Sequence, residues 1–379
     1  MTSTTAPPNT RTLVDRAALL GPEIAAQAAE HDRDGTFVDG AFEMLRGDGL
    51  LAAAVPTELG GGGATIRELA AMQQELGRHC GSTALASAMH QHVTAFTAWR
   101  YRRGMPGAEA TLRRVAEEGI VLVSTGGGDF THPRGTATRV DGGYRVTGTK
   151  PFASQGPVGA AMSTMFSYDD PDQGRRVLNM SVPLTGDGIE VLDNWDTLGM
   201  RGTGSGDITV HDVFVPDERV LANRPYGTID GPLQVILSIA MPIISAAYLG
   251  IARSASDAAI SASATKAHDP ITQRQVGVIA HRLQVARWSL DRAIDVIGDN
   301  PDPSEAAMMA ALTAKREVAL AAVEVTDIAM DVGGGAAFRR GSTIERAYRD
   351  VRAAAFHPLT PEQTLRRSGQ VALGVTTDV

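Results

Sequence analysis

Three short segments of this 379-residue chain carry residue types that could do chemistry. The densest is Arg201-Gly202-Thr203-Gly204-Ser205-Gly206-Asp207, a guanidinium and two hydroxyls among glycines. No Lys-Ser/Thr pair follows, so it is not a triphosphate-binding loop. A strand pattern rather than a helix comes next, which excludes a dinucleotide fingerprint. Taken alone it reads as a turn. The second segment is Lys150-Pro151-Phe152-Ala153-Ser154-Gln155-Gly156. A hydroxyl and small residues at a strand end can place donors against a planar ligand. The third is the pair His90 and His92. On a helix these residues face different sides, so they cannot share one ion, and no cysteine or carboxylate cluster completes a site. No metal is expected. The helix can aim one of the two histidines inward, but not both.

These segments sit in three zones that must position them. Residues 13–119 repeat Ala, Leu, Glu and Arg at three- and four-residue spacing, which predicts an N-terminal helical domain. Pro56-Thr57-Glu58-Leu59-Gly60-Gly61-Gly62-Gly63 is a loop within it. Residues 120–228 predict a middle antiparallel β domain. Residues 136–140 and 144–147 flank Asp141-Gly142-Gly143, where glycine supplies the positive φ of a tight hairpin turn. Residues 161–168, 176–183 and 207–215 are further strands, and no helix-length run separates them, which argues against a Rossmann unit. Residues 229–379 return to helices and predict a C-terminal helical bundle that also oligomerises. Asp302 as N-cap and Pro303 at the first position open a long helix that stops before Gly333. The fold class is α+β.

Composition excludes several partners. The net charge is -8 and no Lys/Arg cluster occurs, so neither nucleic acid nor a membrane surface is expected. Residues 233–252 are the most apolar stretch, but Gln234, Ser238, Pro242, Ser245 and Gly250 mark a buried helix rather than a membrane span. A single cysteine, Cys80, rules out an internal disulfide and fits a reducing, cytoplasmic setting. Residues 1–12, rich in Thr, Pro and Ser, read as a disordered tail.

Together the segments resemble the acyl-CoA dehydrogenase superfamily over nearly the whole chain. Val55-Pro56-Thr57-Glu58-Leu59-Gly60-Gly61 is similar to the family's Val-Pro-Glu-Glu-Leu-Gly-Gly loop. Asp141-Gly142-Gly143-Tyr144 with Gly148-Thr149-Lys150 resembles its central hairpin. Leu198-Gly199-Met200-Arg201-Gly202-Thr203-Gly204-Ser205-Gly206, running into Val213-Phe214-Val215-Pro216, resembles its middle-domain signature. Gly334-Gly335, then Ile344-Glu345-Arg346 and Arg349-Asp350, matches the C-terminal flavin segment in spacing. The resemblance implies a helical N-domain, a β middle domain, a four-helix C-domain, a homotetramer or homodimer, and FAD between the domains, with FMN as the alternative. It places the flavin near Ser124, Thr125, Phe152, Ser154 and Arg201, and brings Gly334 and Gly335, from a partner subunit, toward its phosphates.

The departures decide the chemistry. A dehydrogenase needs a carboxylate base to take the substrate α-proton. The family's main position for it holds Pro358, and a subfamily's alternative position falls at Ala240-Met241. Glu362 is the substitute nearby. His357 adjoins the empty slot, five residues after Arg349-Asp350-Val351-Arg352. There the chain resembles the flavin monooxygenases of this fold, such as dibenzothiophene monooxygenase, which carry a histidine implicated in catalysis. Their Ser-Thr-Gly or Ser-Ser-Gly turn is similar to Ser154-Gln155-Gly156. The family's Arg-x-Phe-Gly adenine motif is replaced around Thr265, Ala267 and His268, which suits a protein supplied with reduced flavin by a separate reductase. The resemblance thus implies a two-component monooxygenase acting with reduced flavin and O2 on a small organic substrate. His357, His92 and Ser154 are the expected catalytic residues; His357 would either deprotonate the substrate or donate a hydrogen bond. The rival readings are a divergent acyl-CoA dehydrogenase and an inactive member serving as a binding protein.

Overall fold

The computed structural model describes residues 11–125 and 127–375. Most of the expected tail, residues 1–10, lies outside them. Thr12 already caps the first helix, its hydroxyl accepting the Asp15 N–H.

Five helices come first: α1 (Leu13–Asp34), α2 (Asp39–Gly47), α3 (Ile66–His79), α4 (Gly81–Tyr101) and α5 (Ala108–Glu118). A capping box of Thr65 and Glu68 starts α3. Helix α4 is rich in Ala, Ser and Thr, and nearly all of it is buried. Small side chains let it sit between neighbours, which is why it can carry histidines into the interior.

Eight strands follow among the described residues: β1 (Val121–Ser124), β2 (Thr136–Val140), β3 (Gly143–Lys150), β4 (Gly159–Asp170), β5 (Gly174–Pro183), β6 (Ile189–Val191), β7 (Ile208–Pro216) and β8 (Val220–Pro225). They form one sheet in the order β6-β7-β3-β2-β4-β5-β8, with β1 beside β4. The hairpin β2–β3 forms where expected, with Gly143 already in the strand opposite Val140, and Gly142 turns it at φ 75°. The sheet is not wholly antiparallel as expected. Strand β1 pairs with β4 in parallel. The β2–β3 excursion between them supplies the long crossover that a parallel pair requires. Val146, Met162, Phe166, Leu178 and Ile208 fill the sheet's own core.

The C-terminal helices are α6 (Gly231–Ala262), α7 (Pro270–Ile297), α8 (Glu305–Ala337), α9 (Thr343–Asp350) and α10 (Pro361–Ala372). Helices α6, α7 and α8 pack on one another, and α10 lies on α8. Helix α6 holds the most apolar stretch, and its most apolar window is 94% buried within the protein, so it is a core helix. Helix α8 opens at Ser304, whose hydroxyl accepts the Ala307 N–H at 3.2 Å, rather than at Asp302. It also runs past Gly333 and kinks at Gly334, where φ 59° and ψ -150° suit glycine alone.

Helix α3 joins the two helical regions by packing on α6. A Cβ on Gly250 would stand 2.1 Å from the Gln74 carbonyl oxygen, and one on Gly77 would stand 2.5 Å from that of Ala247. Two facing glycines therefore set this close crossing, and with it the spacing of α4 and α6 across the site.

Candidate active site

Helix α4, one end of the sheet, α6 and the turns after α9 enclose a cavity of about 490 Å³. Its wall is mostly apolar: Leu85, Met89 and Phe96 from α4, Met165 from β4, and Ile236, Ala240, Met241 and Ile244 from α6. Hydroxyls of Ser124, Thr125, Ser154, Ser163 and Ser205 interrupt it. His92, Ser124, Thr125, Phe152, Ser154 and His357, expected from the sequence to act together, all line this one space.

The Ser154 turn is held in a demanding backbone shape. Phe152 and Gln155 have φ of 58° and 51°, a region costly for residues with a side chain. Surrounding bonds enforce it. Ala153 N–H donates to the Gly206 carbonyl at 3.1 Å, and Gln155 N–H to that of Thr203 at 2.9 Å. The Gln155 side-chain amide donates to the Leu122 carbonyl at 3.0 Å. The glycine-rich 201–207 segment is thus the bed on which the Ser154 turn rests. It also extends a hydroxyl chain: Ser154 to Ser205 at 2.8 Å, Ser205 to Thr203 at 2.6 Å, and Thr203 to the Met200 carbonyl at 2.9 Å.

The two α4 histidines face different sides, as helical geometry requires, yet both are buried, and only His92 is aimed into the cavity. His90 is fully buried; its Nε2 donates to the Leu51 carbonyl at 2.8 Å and its Nδ1 accepts the Leu122 N–H at 3.0 Å. It is a structural clamp. His92 reaches the cavity, with Nδ1 3.2 Å from the Ala88 carbonyl and Nε2 3.2 Å from the Ser124 hydroxyl. His357 lies opposite, its Nε2 2.6 Å from the Tyr248 phenol. Lys315 donates to the carbonyls of His357 and Leu359 at 2.7 and 2.5 Å and fixes that segment. Burial pushes His92 down to about 4. Burial, with the positive charge of Lys315, takes His357 down to about 3. Both rings are neutral at neutral pH.

Other expected residues lie elsewhere. Arg201 does not line the cavity. Its guanidinium donates to the Asp32 carbonyl and to Asp196, both at 2.7 Å, and so ties the end of α1 to the loop before the glycine segment. Gly334 and Gly335 are exposed near the end of α8, outside the cavity. Thr265, Ala267 and His268 are exposed between α6 and α7. Glu362 is exposed in the first turn of α10 and does not line the cavity. Pro358, Ala240 and Met241, by contrast, all stand on its wall. Among the described residues Asp129 is the one lining carboxylate, and it is 1% exposed, with the buried Lys150 ammonium at 3.4 Å and the Arg134 N–H at 3.1 Å.

Tyr248 and Trp195 were not singled out from the sequence. Tyr248 is a lone phenol inside the most apolar helix, and that isolated polar group was the available signal. Trp195, edge-on to Phe152 with ring centres 6.0 Å apart, sits in a loop without periodicity.

The donor set fits a flavin. An isoalloxazine is planar and apolar along one side, with nitrogen and oxygen atoms along the other, and this cavity pairs an apolar wall with a row of hydroxyls. Helical cap, sheet and helical bundle closing on such a cavity define a flavin-dependent oxidoreductase. Profiles of the acyl-CoA dehydrogenase N-terminal and C-terminal domains match residues 12–103 and 242–362. The chain belongs to the acyl-CoA dehydrogenase superfamily. It is 31% identical to the L-evernosamine nitrososynthase of a Micromonospora species, over 92% of this chain and 86% of that one. It is 28% identical to the dibenzothiophene monooxygenase of Rhodococcus erythropolis, over 89% and 88%. The solved structure of KijD3 in complex with FMN and dTDP-3-amino-2,3,6-trideoxy-4-keto-3-methyl-D-glucose superposes with a TM-score of 0.86 at 31% identity, covering 98% of this chain and 96% of that one.

Proposed function

We propose that this protein is a flavin monooxygenase that receives reduced flavin from a separate reductase and transfers one atom of O2 to a small organic amine. One observation carries the reading. Both positions at which this family supplies its carboxylate base stand on the cavity wall, and both hold apolar side chains, Pro358 and Ala240-Met241. Asp129 is tied to Lys150. Among the described residues no lining carboxylate is left free to take an α-proton from an acyl thioester. Likeness to nitrososynthases supports an amine substrate. The FMN complex of KijD3, together with exposed Thr265, Ala267 and His268 in place of the adenine motif, supports FMN over FAD. A homotetramer or homodimer remains part of the proposal.

Ser124, Thr125, Ser154 and Phe152 would hold the flavin at the sheet end, with α4 and α6 covering the rest. Bound in its reduced form, the flavin would supply two electrons to O2, one oxygen atom going to the substrate and the other leaving as water. The chain's own part is to keep water out and to hold protons. Leu85, Met89, Phe96 and Ile244 provide the dry wall. Ser154 can accept from Ser205 while its own proton faces the cavity, or donate back along the chain toward Met200. It can therefore meet either a donor or an acceptor on the ligand.

The test is anaerobic. Oxidised, FMN-loaded enzyme is mixed with acyl-CoAs of varied chain length and the flavin absorbance is followed. No bleaching is expected; bleaching would restore the dehydrogenase reading.

A further inference from the structure

Two imidazoles border the cavity, and each has a partner outside it. His92 Nδ1 lies 3.2 Å from the Ala88 carbonyl oxygen. A carbonyl only accepts, so Nδ1 carries the proton, and Nε2 keeps a lone pair beside the Ser124 hydroxyl. His357 lines both the main cavity and a second, of about 10 Å³, shared with Tyr248, Ser245 and Lys315. Its Nε2 meets the Tyr248 phenol at 2.6 Å. Tyr248 is 2% exposed, and among the described residues its hydroxyl has no other partner. Ser245 Oγ, bordering the same space, is itself unpaired and so out of reach. A buried O–H needs an acceptor, and Nε2 is the one available. The His357 proton therefore sits on Nδ1. Because burial keeps both rings neutral, tautomer rather than charge decides what each offers the cavity.

We propose that Tyr248 is a positioning residue that makes His357 a hydrogen-bond donor, and that His92 is the group that takes the substrate's proton. The inference rests on the monooxygenase reading above. Of the two roles the sequence left open for His357, the Tyr248 contact selects the donor. In the proton step, once the substrate nitrogen has bonded to the transferred oxygen and carries positive charge, one of its N–H bonds breaks and the electron pair stays on nitrogen. The proton bonds to His92 Nε2, while Nδ1–H remains on Ala88. The Nε2 proton returns to solvent when product leaves.

The decisive experiment is 15N NMR of histidine-labelled, FMN-loaded enzyme, with the two rings assigned by their loss in His92→Asn and His357→Asn. Both wild-type rings are expected to be protonated on Nδ1. Tyr248→Phe should shift His357 toward the Nε2–H form and leave His92 unchanged. A second readout needs no substrate: hydrogen peroxide release from reduced FMN and O2. His357→Ala should raise that release about tenfold or more, the effect of roughly 1.4 kcal/mol. His357→Asn, which keeps an N–H near the Nδ1 position, should return it toward wild type. A wild-type His357 protonated on Nε2, or an Asn variant as leaky as the Ala variant, would overturn the proposal. Flavin bleaching by acyl-CoA would overturn the monooxygenase reading and with it the proton step, whereas the tautomer assignment is decided by the NMR alone.

Discussion

Ser154 stands at the end of an ordered chain of hydroxyls that reaches the cavity. Its hydroxyl belongs to a chain through Ser205 and Thr203, and its turn exists because Phe152 and Gln155 are held at positive φ. Ser154→Ala removes the end of that chain while leaving the turn. Losing one neutral hydrogen bond costs about 1 kcal/mol, so FMN affinity should fall roughly five- to tenfold, with the fold unchanged by circular dichroism. An unchanged dissociation constant would remove Ser154 from the flavin's contacts. Residue-scale legibility followed exposure to pattern. Ser154, His92 and His357 could be named because their residue types stand out in recognisable motifs. Arg201 stood out equally and lies outside the cavity, because a motif shows which residues recur together and not which way a guanidinium turns. Tyr248 offered only its isolated phenol in an apolar helix, and its partner was not legible, since a hydrogen bond across more than a hundred positions leaves no local pattern.

At the scale of elements, α4 does two jobs with two histidines. His90 clamps the chain before α3 and the start of β1; His92 serves the cavity. His90→Ala leaves the Leu122 N–H without its partner, while the Leu51 carbonyl keeps only the Gln91 side-chain amide at 3.3 Å. A buried orphan costs about 1–3 kcal/mol, so the variant should lose a few degrees in Tm. A Tm within one degree or so of wild type would show the clamp to be dispensable. The same helix sets an acid limit. Burial holds His90 and His92 down to about 4, below their ordinary value, so between about pH 6.5 and 4 the unfolded chain binds protons that the folded one refuses. Stability is whole above about pH 6.5 and falls as pH drops toward 4. Asp350, raised by burial to about 6, has the opposite sign and offsets part of this below pH 6. Urea titrations across that window should show stability declining with acid and a net uptake of protons on unfolding. A flat profile would contradict the burial of α4. These elements were legible because their periods are long. The parallel pairing of β1 was not, since pairing direction depends on a crossover and not on the strand's own residues.

At the scale of the molecule, the two helical regions meet at the Gly77–Gly250 crossing and close the cavity against the sheet. The order of helical cap, sheet and bundle could be read from texture alone, because each zone has its own period. Assembly could not, since an exposed turn such as Gly334-Gly335 looks the same whether it faces water or a partner. Gly334 has φ 59° and ψ -150°, so a β-branched residue is strained there by about 1–3 kcal/mol. Gly334→Val should weaken FMN retention on ultrafiltration if a second copy brings this turn to the flavin; full retention would exclude that placement. Isotope labelling reads oxygen transfer to the substrate itself. FMN-loaded enzyme, fed with reduced FMN by an added reductase under 18O2, is given the 3-amino sugar nucleotide bound by KijD3 and a panel of simpler amines, and the organic products are weighed by mass spectrometry. The expected result is an amine product carrying 18O from O2. Label confined to hydrogen peroxide and water, with every amine recovered unchanged, would exclude oxygen transfer to an amine.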